Sequence, residues 1–353
     1  MLNCWIKLFL LFSILITSNI FSQQILFPIR ENGMWGYIDS NGTEIIHPTF
    51  IQCGYFSNGM AFVKKGPANL DDFSIIDDIG YINQRNEFHS ITKFISGFDD
   101  GETFSEGRAA VRLPGIGIFT QTKWGFIDTS FNIVIKPEYT SVGNFSDGLA
   151  WVEEKKTFLF FVISDKYGYI DHNGELVIPF QFEHAGSFFE GLANITIDGK
   201  KGFIDKKGKI IIEPRFVSVG KFSQGCAPVM IEGKWGFLDQ NGLIIIPPKY
   251  EAVRSFSEGL ALAKYSDKWG FIDHSGKFII EPKFSEISNF SEGLAPALLT
   301  DKWGYIDNQG NTVIAPQFDY AYGFNNHRAL VEINGKLIYI NSNGDIVWEQ
   351  NIF

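Results

Sequence analysis

Cysteine is scarce, with only three in 353 residues. Cys4 lies ahead of the first apolar run, which leaves Cys53 and Cys226 for the rest of the chain. Two thiols do not make a disulfide framework, because domains that depend on one carry more cysteines in matched pairs. Cys226 stands where other copies of a repeat carry leucine or another core residue, so a buried thiol is expected. Basic excess is missing too: 30 Lys and Arg face 40 Asp and Glu, a net charge of −10. The longest basic runs are the pairs Lys155-Lys156 and Lys200-Lys201. Phosphate neutralisation needs clustered cations, so no nucleic acid is expected as a partner. The six histidines (His47, His89, His172, His184, His274, His327) show no metal-ligand spacing, and no metal or cofactor is expected. His172 and His274 follow a turn aspartate and are expected in solvent. There is no Gly-x-Ser-x-Gly elbow, no P-loop and no dinucleotide fingerprint. Catalytic residues are therefore expected to be none.

One apolar run stands apart. Lys7 precedes Leu8 to Ile16, and Thr17 to Ser22 then leads into Gln23-Gln24. A basic residue, a short apolar stretch and a small residue form the layout of a secretory signal, expected at 1–22. The run is too short to span a bilayer, and no later run is long enough. The mature chain, 23–353, is expected to be one domain in the periplasm, the cell envelope or outside the cell, without a membrane span.

Glycine and phenylalanine are abundant, with 36 and 35 copies, and both belong to a repeat. Glycines follow an aromatic or its replacement at Gly36, Gly80, Gly125, Gly168, Gly202, Gly236, Gly270 and Gly304. The steps are 44, 45 and 43, then four of 34, and Ile338 holds the next slot. The distance from the turn aspartate to the next aromatic stays constant (Asp39 to Phe50, Asp128 to Tyr139, Asp307 to Phe318). The longer steps therefore carry insertions, near 66–75, 97–101, 114–121 and 155–164. Inserts confined to two joints mark those joints as loops. Eight full units and partial end units fill the chain. Leu26 to Arg30 supplies a third strand without its first two, and Gly335 to Phe353 supplies the first two.

Helical repeats of the same period are excluded by proline in mid-unit (Pro48, Pro137, Pro179, Pro214, Pro248, Pro282, Pro316). The apolar runs are short and rich in Ile, Val and aromatics, so each unit reads as three strands. These are Trp-Gly-Phe-Ile-Asp, x-Ile-Ile-x-Pro and Leu-Ala-x-Val. Asp273 to Gly276 reads as the turn between the first two, and Phe290 to Gly293 as a turn whose phenylalanine points inward. The proline is expected to end its strand, and the glycine beside Trp269 to admit a neighbouring backbone. The fold class is all-β, with tandem hairpin repeats in a twisted, superhelical, solenoid-like array. The alternative is a closed, propeller-like ring. Three strands per unit, against four in a propeller blade, favour the open array.

Lys268-Trp269-Gly270-Phe271-Ile272-Asp273 with the downstream Phe290-Ser291-Glu292-Gly293-Leu294-Ala295 resembles the bacterial WG, or KWG, repeat family. The motif recurs at Trp124, Trp235, Trp269 and Trp303, and the resemblance covers about residues 25–353. Ile79, Tyr167, Lys201 and Leu337 replace the tryptophan, and Asn83 and Asn341 replace the aspartate. Those copies are expected to pack less well. The resemblance implies an all-β repeat protein, often secreted or envelope-associated, and it implies no shared catalytic residues.

Repeated residues are poor candidates for a site. The aspartates read as turn formers rather than calcium ligands. The turn acids Glu106, Asp147, Glu190, Glu258 and Glu292 cannot single out one acid and one base. Variable side chains on a fixed scaffold are better candidates. Between the two aromatic slots these are Glu183, His184, Glu251, Arg254, Glu286, Tyr320 and Tyr322. Glu183-His184 could also be an acid–base pair, and Thr157 to Ile163 is apolar enough to be a sticky edge, a packing strand or a partner site. The expected function is a non-catalytic scaffold that presents a β surface to a protein or glycan of the cell envelope. A secreted glycan-active enzyme is the alternative, and it would need unique carboxylates converging in one pocket. A purely structural spacer is the third reading.

Overall fold

The computed structural model describes residues 24–66, 78–91, 103–113, 122–158 and 161–351. The leader at 1–22, the inserts at 97–101 and 114–121, and 67–75 of the first insert lie outside them. The described chain is all-β, in eight hydrogen-bonded sheets whose strands follow one another in chain order. Every pairing is antiparallel.

The leading hairpin forms as its sequence predicts. In one copy Lys268–Ile272 pairs with Phe278–Phe284, and Ala261–Tyr265 pairs on its other side. Asp273 Oδ1 accepts the backbone N–H groups of Ser275 and Lys277, at 2.9 and 3.1 Å, and so holds the turn. The proline does not end its strand. Pro282 lies inside Phe278–Phe284, where Trp269 faces Phe284 and Phe271 faces Ile280. Gly270 alone thus faces three residues, a bulge that spares proline the ladder bond it cannot donate. The close approach at Gly270 comes from this bulge rather than from a neighbouring unit. A Cβ there would sit 2.5 Å from the Ile280 carbonyl oxygen.

Of the two arrangements considered, the array takes the closed one, a β-propeller. The count of three strands fell short because the fourth strand is only two residues long. Ser141–Val142, His184–Ala185, Ser218–Val219, Ala252–Val253 and Tyr320–Ala321 each add an edge to a sheet. A sheet therefore combines the end of one sequence unit with the hairpin of the next. In the first sheet Glu44–Cys53 runs through without a break, and six strands join two hairpins. The insert at 155–164 is a correction of another kind. It prolongs a hairpin, Ala150–Phe158 against Phe161–Ile170, instead of forming a loop.

Successive hairpins are joined by rings, within the six-stranded first sheet and between adjacent sheets elsewhere. The aromatic after each WG glycine meets the phenylalanine of the next turn. Centroids are 4.9 Å apart for Tyr37–Phe56, Phe126–Phe145, Tyr169–Phe188 and Phe203–Phe222, and 5.0 Å for Phe237–Phe256 and Tyr305–Phe324. All these leading rings are buried. The turns are joined as well. Ser223 Oγ donates to the Phe256 carbonyl at 2.8 Å, Ser257 Oγ to that of Phe290 at 3.0 Å, and Ser291 Oγ to that of Phe324 at 2.5 Å. Glu258 accepts the N–H groups of Glu292 and Gly293, at 2.6 and 2.9 Å, and Glu190 does the same for Gln224 and Gly225. The turn acids are thus links between sheets. Glu258 itself has φ of +52°, a conformation unfavourable for a side chain with Cβ, and its two bonds to the next turn offset that cost.

The ends meet by the same contacts, not by sharing a sheet. Phe27 supplies the ring that faces Tyr339, at 5.5 Å, and the Tyr339 hydroxyl donates to the Pro28 carbonyl at 2.9 Å. Arg328 Nε donates to the Ser40 carbonyl at 2.8 Å, and Gln350 Nε2 to that of Arg30 at 2.6 Å. Phe27, Ile29 and Ile38 pack with Tyr339 in one buried cluster.

Removing one joining ring should be costly. Phe256→Ala is expected to lower unfolding stability by about 3–5 kcal/mol, read by urea denaturation. Ile279→Ala, at an exposed position, should cost under about 1 kcal/mol. Equal losses would remove the ring pairs from their place in the fold.

Candidate functional site

The variable candidates do not form one site, and several are structural. Glu183 Oε2 accepts the Gly199 N–H at 2.9 Å, and Glu251 accepts those of Ser266 and Asp267 at 3.1 and 3.0 Å. Each carboxylate closes the tip of a neighbouring hairpin. Glu183 is therefore not the acid partner of His184. The His184 ring lies 5.3 Å from Tyr167, and burial, then the Lys201 charge, hold its pKa below the usual imidazole range. Arg254 and Glu286 are exposed on separate sheets, and their main chains pair with Leu262 and Leu298. His274 is exposed as expected, and His172 is half-buried. They stack on Phe256 and Phe145, at 4.0 and 4.3 Å. Cys226 is buried as expected.

A carboxylate pair outside the repeated turns lies on the prolonged hairpin. Burial pushes the Glu153 carboxyl up to about 7, helped by a hydrogen bond to Asp165 and its charge, against the pull of Lys155 and Lys123. Neither acid lines the two cavities described next.

Tyr320 and Tyr322 do belong to a cluster. They meet edge to face at 4.9 Å, Tyr320 lies 5.1 Å from Trp303, and both are about half exposed. They sit in the last sheet, beside the seam where the ring closes. On the other side of the seam is Tyr55, 58% exposed. Burial raises the Tyr55 pKa, with Cys53 and Tyr322 adding to the shift. A cavity of about 110 Å³ opens there, lined by Trp35, Tyr55, Leu330, Leu337, Tyr339 and Trp348, with Cys53 at its wall. Burial pushes the Cys53 thiol up to about 12, although a Tyr37 hydrogen bond lowers it, so it is no thiolate at neutral pH. A second cavity, about 190 Å³, adjoins Tyr55 and is lined by the amides Gln24, Asn58, Gln84, Asn325 and Asn326.

Sequence reasoning missed most of this cluster. Tyr55 occupies the slot held by Ser187, Lys221, Ser255, Asn289 and Gly323 elsewhere, and an aromatic there was a usable signal. Leu337 was legible: replacing tryptophan, it lines a void. Ile79, another replacement, is buried in a cluster with Tyr81 and Phe104.

These features define a class first: a closed β-propeller built from tandem hairpin repeats. The sequence profile of the "WG containing repeat" matches residues 35–66, 124–157, 167–200, 202–235, 235–269, 269–303 and 303–336, and the chain belongs to this family. No curated protein matches it. Among solved structures, apo AztD from Citrobacter koseri is 11% identical, with 93% of this chain and 94% of that one covered and a TM-score of 0.42. Pyrococcus horikoshii acylaminoacyl peptidase is 10% identical over 82% of this chain and 50% of that one, with a TM-score of 0.40. Kluyveromyces lactis Hsv2 is 9% identical over 69% and 91%, with a TM-score of 0.37. Similarity at this level says nothing about activity. Among the described residues no helix is long and apolar enough to cross a membrane, and no group of three or more His, Cys, Asp or Glu could hold a metal ion.

The raised Glu153 pKa sets a pH dependence. The folded state holds this proton more tightly than the unfolded chain, so its contribution is complete below the ordinary carboxylate range and is lost as pH rises through about 7. Glu153→Gln is expected to raise the melting temperature at pH 8 relative to the parent and to change it little at pH 5. A variant equally shifted at both pH values would contradict this.

Proposed function

We propose that the protein is a non-catalytic scaffold of the bacterial cell envelope whose propeller surface binds a protein or glycan partner. What supports this reading most is the Tyr320, Tyr322 and Tyr55 cluster, exposed beside an aromatic-lined cavity at the seam. Exposed aromatics collected in one place mark interaction sites more often than chance surface. The repeated acids favour no hydrolase, since they are engaged in linking turns. The signal-like segment at 1–22 supports export.

Immobilised chain is expected to retain a component of isolated envelope fractions. The double variant Tyr320→Ala, Tyr322→Ala should retain at least tenfold less with an unchanged melting temperature. No retention across several salt concentrations would reject the binding reading and leave the structural spacer.

A further inference from the structure

The geometry points to the seam as a binding site for a neutral saccharide, with Tyr55 as the wall shared by an amide-lined and an aromatic-lined compartment. This deepens the binding reading above and rests on it. The larger compartment exists because the ring is one turn short. Turns of the Phe-Ser-Glu-Gly type stand at Phe56, Phe104, Phe145, Phe188, Phe222, Phe256, Phe290 and Phe324, and at the ninth place the chain runs through Gln24 and Ile25. The missing turn opens the larger compartment. The smaller one opens where Leu337 stands in place of a tryptophan.

Their chemistry matches an uncharged sugar. Five residues with side-chain amides line the larger compartment, and an amide both donates and accepts, as a sugar hydroxyl does. The Asn58 amide is spent on the next turn, donating to the Phe104 carbonyl at 3.4 Å and accepting the Gly107 N–H at 3.2 Å, so the recognition falls to the other four. Gln84 Nε2 donates to the Gln24 carbonyl at 2.6 Å, and Asn326 Nδ2 to Asn325 Oδ1 at 3.1 Å. These bonds orient the amides and leave the Gln84 and Asn326 oxygens and the Asn325 nitrogen for a ligand. At about 190 Å³ the space exceeds the ~150 Å³ of a cavity known to accept a six-membered carbon ring. The adjoining compartment offers Trp35, Tyr339 and Trp348, whose electron-rich faces attract the partly positive C–H groups of a pyranose. No charged side chain lines either compartment, so a phosphate, sulfate or uronate would be left without a cation. Arg30, nearby, already lies over the Trp35 ring at 5.7 Å.

Trp35 and Trp348 make binding visible by intrinsic fluorescence. The full chain is titrated with cellobiose, maltose and N,N′-diacetylchitobiose, and with glucuronic acid as the anionic probe. The expected result is a saturable change with at least one neutral disaccharide and none with glucuronic acid. Tyr55→Ala should weaken that binding at least tenfold. Leu337→Trp, which installs the residue that five other copies carry, should do the same by filling the smaller compartment while leaving the fold intact. The inference is overturned if no neutral disaccharide saturates, if glucuronic acid binds as well, or if both variants bind like the parent. It is also overturned if an apolar peptide binds at the seam in place of a sugar. Retention of an envelope component by a chain that binds no saccharide would leave the scaffold reading standing, and loss of both would end it.

Discussion

The ring pair that joins one sheet to the next carries this architecture. The WG hairpins bury a Phe or Tyr, and the following turns offer a phenylalanine to it at about 5 Å, edge-on in most junctions and tilted at Phe271–Phe290 and Tyr305–Phe324. Such pairs add about 0.5–1.5 kcal/mol beyond the area they bury. Neither ring could be buried by its own sheet, so no unit is stable alone. The WG glycine and the bulge opposite it serve the same contact. They let the hairpin double back closely enough for the ring to project toward the next sheet. The abundance of phenylalanine and glycine is the composition of this joint, repeated.

Closure follows from the same constraint. An open array would leave the last Tyr339 ring and the first sheet without partners. Phe27 removes both exposures at once, since it sits in the first strand and faces Tyr339. The contact is imperfect, 5.5 Å against 4.5–5.0 Å at junctions such as Phe271–Phe290 and Tyr305–Phe324. It borrows a strand residue where the other junctions use a turn residue, and the two seam cavities lie beside it.

The repeat, its strands and its turns were legible because each is written many times. The aspartate turn could be read from Asp273 to Gly276 alone, and the inward phenylalanine from Phe290. The fourth strand was not, because two residues such as Ser218–Val219 show no alternation. That missing strand was the argument for an open array, so a failure of local pattern became a failure of topology. The proline was misread for a related reason: whether Pro282 ends a strand depends on what it faces, and a bulge partner is invisible in one dimension. Tyr320 and Tyr322 were singled out by their variability, and their rings meet on the surface. Tyr55 was not, although it breaks the same pattern. Glu183 and Glu251 were selected by that variability and turned out to close hairpin tips.

A ring of near-identical units has a particular difficulty in acquiring a specific site. Any feature that repeats is present in every unit, so it cannot place different groups around one ligand. Uniqueness enters only where the repeat is broken. In this chain the breaks are the inserts and the seam, and the described residues gather exposed aromatics and free amides at the seam. Closing the ring with Phe27 in place of a ninth turn satisfied the packing and left the amides of Gln84, Asn325 and Asn326 around a space at the seam. The same omission that makes the closure imperfect makes it chemically distinct, which is why binding is argued there and not along the regular sheets.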